Sequence, residues 1–304
     1  MLMSSKGRIL WIDIARVLAI ALIVGFHVAY EFSLDSSIRW VGFLGASLFF
    51  IISGFMLAKH DPELVSFDKG WFVRRYIRIA SLYYPTIIVL VILFGAQIYD
   101  NGLWDIIAHF LFINGTWPAL TYSIISPAWF IIPLFFYYVF YPYLNKLVKN
   151  YDFFLPLAVI ATLATRMIFG GLVNPNPFFF LAEFCFGIAF AHGKRDFWML
   201  APLALAIAAP VMVLPFIVFF VLSLLPSDGP NHHIGSAFSL IGQHTFEIFL
   251  FHESVMKAML GKWKVLGLDA LDSTIILLVS LAIVMVVSKA INAHLVNNKN
   301  VVQG

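Results

Sequence analysis

Apolar runs of roughly membrane length alternate along this chain with short polar connections. They fall at about 9–30, 40–58, 76–98, 103–115, 128–148, 153–172, 177–192, 197–225, 236–257 and 271–292. Most approach the ~20 residues that an α-helix, rising 1.5 Å per residue, needs to cross ~30 Å of hydrocarbon. The pattern predicts an all-α integral membrane protein, a polytopic bundle of about ten transmembrane helices in a single domain over 1–304, with no soluble domain. Two runs depart from it. The run 103–115 is short and interrupted by Asp105 and His109, which allows a re-entrant or interfacial segment in place of a crossing. The run 197–225 is long and holds Pro210 and Pro215, so a tilted, kinked or broken helix is expected there. The count therefore lies between nine and eleven spans.

Composition agrees with that pattern. Apolar residues make up 62% of the chain and charged residues 12%, against about 25% charged in soluble domains. Aromatics reach 17%, with 32 phenylalanines, which suits a lipid-facing surface. No basic run is dense enough to suggest nucleic acid. The one cysteine, Cys185, lies in an apolar run and excludes an intrachain disulfide; a small buried hydrophobe is its plain account. Lys6 and Arg8 precede the first run as in a signal peptide, but Asp13 and Arg16 lie inside it and many spans follow. It reads as the first transmembrane helix.

Lysine and arginine near the span ends set orientation. Lys6 and Arg8 place the N-terminus in the cytoplasm, and the loop 59–75 with Lys59, Lys69, Arg74 and Arg75 returns there. Loops 31–38 and 99–105, with Glu31, Asp35, Asp100 and Asp105, face outward. Lys146 with Lys149, Lys194 with Arg195, and Lys257 to Lys264 are all placed inside, which requires that 103–115 not cross.

Ionisable residues within spans cost ~2.5–3.5 kcal/mol each on insertion scales and are functional candidates. The first helix carries Asp13, Arg16 and His27. At 100° per residue, Arg16 and His27 project within about 20° of each other, separated axially by about 16 Å. Asp13 can pair with Arg16 at i, i+3. Taken singly, these are a neutralised boundary pair and an interfacial histidine. Taken together they make a polar stripe that must face the bundle interior or a wet cavity. At the third span, Arg74, Arg75 and Arg78 form a cluster, with Arg75 and Arg78 on one face. Paired guanidiniums can fork onto phosphate oxygens, although for the cluster taken alone anchoring to anionic lipid is the better account. Glu183, His244, Glu247 and His252 are further intramembrane polar groups. The segment His192 to Asp196 fits an H-x-x-x-D pattern by chance. No metal-ligand spacing, phosphate-cradling glycine loop or nucleophile elbow occurs.

Several segments together resemble the acyltransferase 3 family of membrane-bound O-acyltransferases. Asp13, Arg16 and His27 match its D-x-x-R opening with R-x10-H spacing, and Phe49 to Phe55 its F-F-x-x-S-G-F motif, with Ser53 at the serine. Arg75 and Arg78 match its R-x-x-R motif, and Trp129–Phe130 its W-F segment. LIGQHTFEIFLFHE resembles its L-G-x-x-(S/T)-Y-x-x-Y-L-x-H segment, with His252 at the histidine. The matches run in family order over residues 9 to about 260. Pro133 stands where many members carry a glutamate, and the hydrolase-like domain fused to some members is expected to be absent.

The resemblance implies transfer of an acyl group, typically acetyl from acetyl-CoA as co-substrate, to a sugar or polysaccharide hydroxyl at the cell membrane, without a metal. His27 would be catalytic, supported by Arg16 and Asp13. Arg75 and Arg78, with Arg74, would bind coenzyme A phosphates, and Ser53, Trp129 and His252 would line the substrate path. Membrane lipids are the other expected partner. A glycan transporter is the alternative from another class, and an inactive regulatory relative is a third.

Overall fold

The computed structural model describes residues 9–32, 38–115, 118–171, 174–194, 196–226 and 233–297. Lys6, Arg8, Asp35 and Arg195, which enter the charge argument above, lie outside these residues. All regular structure among the described residues is helical. The helices are α1 (Leu10–Glu31), α2 (Arg39–His60), α3 (Lys69–Phe94), α4 (Leu103–Phe110), α5 (Pro118–Thr121), α6 (Ile131–Asn150), α7 (Phe154–Phe169), α8 (Leu181–Ala191), α9 (Leu214–Ser223), α10 (His233–Gln243), α11 (Thr245–Met259) and α12 (Ala270–Asn297). Five segments are long and apolar enough to cross a membrane: Leu10–Glu31, Arg39–His60, Lys69–Gln97, Ser126–Asn150 and Ala270–His294. Phe154–Phe169, Pro177–Ala191 and Pro210–Ser223 are apolar but shorter. The chain is a membrane protein. It divides into two compact units, one over 2–67 and 136–245 (the α1 unit) and one over 68–135 and 246–304 (the α3 unit).

In the α1 unit, glycines set the helix spacing. A methyl group at Gly45 of α2 would stand 2.6 Å from the Ala19 carbonyl oxygen of α1. Where α2 meets α8, a Cβ at Gly54 would overlap the Phe184 carbonyl and one at Gly187 would overlap the Ile51 carbonyl. Small residues let backbones touch where lipid supplies no hydrophobic drive between helices. Phe50, Tyr137, Phe180 and Phe184 fill the space around this crossing, all fully buried.

One end of this unit gathers three basic connections. Tyr141 donates to the Asp61 carbonyl at 2.9 Å, Asn145 donates to the Pro62 and Leu64 carbonyls, and Lys149 pairs with Glu63 at 2.7 Å. Lys149 holds the Glu63 carboxyl below its ordinary pKa. Lys194 pairs with Asp152. Because the Asn145 amide nitrogen is already donating, its oxygen accepts, and His192 Nε2 is the donor across 2.8 Å. Burial, then the Lys149 charge, lowers the His192 pKa, so its ring is neutral at pH 7. His192 is thus a clamp between connections. The loops carrying Lys59, Lys149 and Lys194 share one end, as the charge pattern requires.

The run 197–225 is a hairpin. It leaves Lys194 at the basic end as a 3-10 helix, Phe197–Ile207, and reverses at Ala209, whose backbone is extended. Pro210–Val213 and α9 then return. Val211 and Leu214 share a recess with Trp40 at the opposite end of α2. Phe219 then packs on Trp11, Phe55 and Phe190 back at the basic end. Pro202, Pro210 and Pro215 withhold the N–H groups a continuous helix needs. The expected 236–257 span is likewise two helices, α10 and α11, interrupted at His244, so a single helical wheel does not relate His244 to His252.

In the α3 unit, Asp68 caps α3 through the Trp71 amide, and α12 packs alongside α3. Ser288 and Asn292 both meet Ser81, at 3.1 and 2.6 Å. At the other end of α3, Gln97 exchanges two hydrogen bonds with the Lys264 main chain. Trp263 contacts Phe94, and the Lys257 ammonium lies 4.8 Å over the Trp263 ring. This corrects the sequence expectation for Lys257 to Lys264: they sit at the end of α3 remote from Arg74 and Arg75, roughly 20 residues or about 30 Å along the helix. Backbone bonding of Gln97 to the 260–268 connection outweighs the statistical preference of lysines for the cytoplasmic side. The segment 98–124 does not cross. It leaves and rejoins at one point, where the Ile124 amide donates to the Ile98 carbonyl at 2.7 Å, and α4 has only 8 residues.

In a Cys185→Ala background, cysteines at Lys69 and at Lys262 are expected to react with an impermeant maleimide from opposite faces of sealed vesicles. Labelling of both from one face would contradict the placement of the 260–268 connection.

Candidate functional site

The stripe on α1 lies on its packed side. Ile12, Ala19, Ile20 and Ile23 are buried, and at 100° per residue they share the face of Arg16 and His27. Asp13 is only 3% exposed. Its Oδ1 faces Arg16 Nη1 at 3.5 Å, and its Oδ2 accepts from Ser239 Oγ of α10 at 2.8 Å. Gly242 makes that arrangement possible, since a Cβ there would stand 3.1 Å from both Asp13 Cβ and Oδ1. The carboxylate is therefore held from two helices and in turn orients Arg16. The Arg16 side chain is more open, at 25% against 5% for Asp13. His27 lies further along the same face, half-buried and with its ring 5.0 Å from that of Phe26. Ser53 is half-buried, next to the glycine that fixes the α2–α8 crossing.

The α3 unit holds the remaining sequence candidates. Arg74 and Arg78 are exposed on the first turns of α3, and Arg75 lies 5.2 Å over the Trp71 ring. Trp71, Arg75 and Arg78 follow i, i+4, i+7 and share one face, so two guanidiniums are presented together. Trp129 is half-buried in the 3-10 turn Ser126–Phe130, whose Phe130 packs on Phe249 of α11 at 5.2 Å. His252 Nδ1 lies 2.7 Å from the Phe249 carbonyl. A carbonyl only accepts, so Nδ1 carries the proton and Nε2 the lone pair. Glu253, next to it, pairs with Lys257 at 2.6 Å.

A further charged pair escaped the sequence reading. Arg166 of α7 and Glu183 of α8 form a salt bridge with neither side chain exposed. Ser47 of α2 donates to the same Glu183 oxygen at 3.2 Å, and Arg166 Nε donates to the Phe179 carbonyl at 3.1 Å. The guanidinium also lies over Phe43, Phe179 and Phe180. Arg166 inside an otherwise apolar run was the available signal, by the same rule that singled out Asp13 and Arg16. Among the described residues no group of His, Cys, Asp and Glu could hold a metal ion.

The sequence model of a family described as an acyltransferase domain matches residues 9–235. The chain belongs to the acyltransferase 3 family. Among curated proteins, it is 27% identical over 115 residues to the peptidoglycan O-acetyltransferase OatA of Listeria monocytogenes. That alignment takes in 35% of this chain and 17% of the relative's length. No solved structure matches. The matched residues include the Asp13–Arg16 pair just described. Gly54, like Gly45 and Gly187, stands where helices come too close for a side chain, and Gly242 where a Cβ would be tight against Asp13.

Two substitutions separate fixing the site from holding the fold. Arg166→Met is expected to cost about 3–5 kcal/mol by stranding a buried carboxylate, whereas Arg166→Met with Glu183→Leu recovers most of that loss. Thermal unfolding in detergent measures both, and equal losses would deny the pair its coupling. Gly242→Val is expected to cost about 1–3 kcal/mol and to cut activity further by displacing α10 from Asp13. An active, undestabilised variant would contradict the close approach.

Proposed function

We propose that this protein is a membrane O-acyltransferase that moves an acyl group, acetyl from acetyl-CoA, onto a hydroxyl of a cell-surface polysaccharide or a lipid-linked sugar. One observation carries the proposal: in a chain of the acyltransferase family, a buried Asp13 clasps Arg16 on the helix face that also carries His27. The curated relative, named for O-acetylation of peptidoglycan, supports a glycan acceptor.

The residues suit the chemistry. His27 takes the proton of the acceptor hydroxyl as that oxygen bonds the thioester carbonyl carbon, and returns it to the departing thiolate. Imidazole is suited to both transfers because its ordinary pKa lies near the working pH. Arg16, fixed by Asp13 and three-quarters covered, supplies a positioned positive charge. About 16 Å of helix separates Arg16 from His27, so they serve different parts of the substrates. Arg75 and Arg78, with Arg74 beside them, suit the phosphates of coenzyme A; Arg75, laid on Trp71, is partly preorganised for a bidentate contact. Ser53, Trp129 and His252 line the substrate path in this proposal.

The positive-inside rule places each unit's basic end in the cytoplasm, with the N-terminus there. Ten passes then follow from a set different from the ten apolar runs. The run 103–115 is re-entrant, and 197–225 supplies two passes. The protein resides in the cell membrane, in contact with its lipids.

With labelled acetyl-CoA and a soluble peptidoglycan fragment, His27→Ala is expected to abolish transfer in protein that still folds; unchanged turnover would remove His27 from the chemistry. Arg75→Ala with Arg78→Ala is expected to raise KM for acetyl-CoA about ten- to a hundredfold, with a smaller effect on kcat. An unchanged KM would remove both arginines from donor binding.

A further inference from the structure

The re-entrant segment of the α3 unit is built inside out. Leu103, Trp104, Ile107 and Leu111 are exposed, while Asp105, Ala108 and His109 are buried, Asp105 and His109 completely. Apolar residues outside and polar ones within suit a short helix at membrane depth, where irregular backbone is tolerated only if it is buried in protein or lines a cavity.

The end of α4 is strained. The Ile113 amide donates to the Ala108 carbonyl and the Phe112 amide to the His109 carbonyl, the paired bonds of a Schellman cap. The cap's left-handed position, normally glycine, holds Phe112 at φ +56°, and Ile124 further along the same segment has φ +49°. Such conformations are unfavourable for residues other than glycine and gather at functional sites. Phe112 is retained by aromatic packing, its ring stacked at 5.4 Å on Tyr83 and at 5.1 Å on Phe135. Tyr84 donates to the Phe110 carbonyl at 2.9 Å, satisfying another group at this end.

Three side chains around this cap are fully buried and have polar atoms without a hydrogen-bond partner: Tyr83 Oη, His109 Nε2, and both amide atoms of Asn114. The Tyr83 and His109 rings lie 6.3 Å apart, and the bond from the Ile113 amide to the Ala108 carbonyl brings the chain that leads into Asn114 back beside the turn that carries His109. His109 Nδ1 lies 2.8 Å from the Asp105 carbonyl, so Nδ1 carries the proton and Nε2 presents a lone pair. The Ser123 main chain comes within electrostatic reach of the ring, but not at a geometry that satisfies Nε2. The Asp105 carboxylate is already engaged by Asn101, through its amide at 2.8 Å and its side chain. What remains open is neutral: a phenol that donates or accepts, a ring nitrogen that accepts, and an amide that does both. Leaving such groups unmet in a dry interior is costly, and sites of this kind are normally filled.

We propose that Tyr83, His109 and Asn114 hold a hydroxyl-bearing ligand, either internal water or a hydroxyl of the sugar acceptor. The acceptor form rests on the acyl-transfer function proposed above; the water form does not. Tyr83→Phe and Asn114→Leu keep shape while removing the polar atoms, and the full chain in nanodiscs reports the result. If water is the ligand, each variant lowers Tm by several degrees with no acceptor present and leaves the acceptor KM unchanged. If the acceptor is the ligand, Tm in its absence is unchanged or raised. The KM for a soluble peptidoglycan fragment then rises at least tenfold, while that for acetyl-CoA does not move. A Tm unchanged or raised together with an unchanged acceptor KM would overturn the proposal, showing that these groups bind nothing. Should the parent protein transfer no acyl group, the function fails, and the melting comparison still decides whether water occupies the site.

Discussion

Hydrocarbon offers no water to a charge or a peptide group, so each must find its partner within the protein. The α1 unit meets that demand in two places. Asp13 is held between Arg16 and Ser239, and Arg166 is held by Glu183, the Phe179 carbonyl and three aromatic faces. The first pair keeps its arginine partly open. The second is sealed and organises the junction of α2, α7 and α8. The two pairs, built of the same residue types, thus differ in exposure, and the proposed chemistry is assigned to the open one.

Partnering at such depth requires helices that touch, and glycine supplies the contact. Gly54 and Gly187 bring α2 and α8 together near the Ser47–Glu183 hydrogen bond, while Gly242 lays α10 on Asp13. Motif glycines here are spacing elements for the charged residues beside them. In the α3 unit, polar inter-helix bonds do the same work, with Ser81 meeting Ser288 and Asn292.

Much of this was legible in sequence. Runs of 20 or so apolar residues gave the long helices, and the i, i+3 spacing gave the Asp13–Arg16 pair, because both depend on local geometry alone. Pro210 and Pro215 signalled a break in 197–225, yet not that the chain reverses there, since proline ends a helix without setting its new direction. The side on which Lys257 to Lys264 lie was misread because counting lysines ignores what holds a loop. Here it is Gln97, 167 residues away from Lys264 in sequence. Arg166 and Glu183 are paired across a turn, and the Tyr83, His109 and Asn114 cluster depends on a cap with phenylalanine where glycine is usual. Such long-range and strained arrangements leave little local trace.

The central claim is that the stripe on α1 serves acyl transfer and not passage of a solute. Purified protein in proteoliposomes, supplied with acetyl-labelled acetyl-CoA on the side of the basic ends and a peptidoglycan fragment as acceptor, tests it directly. The expected result is an alkali-labile labelled ester on the glycan with stoichiometric release of free coenzyme A. Saturable movement of the glycan across the bilayer with no label on it would contradict the account.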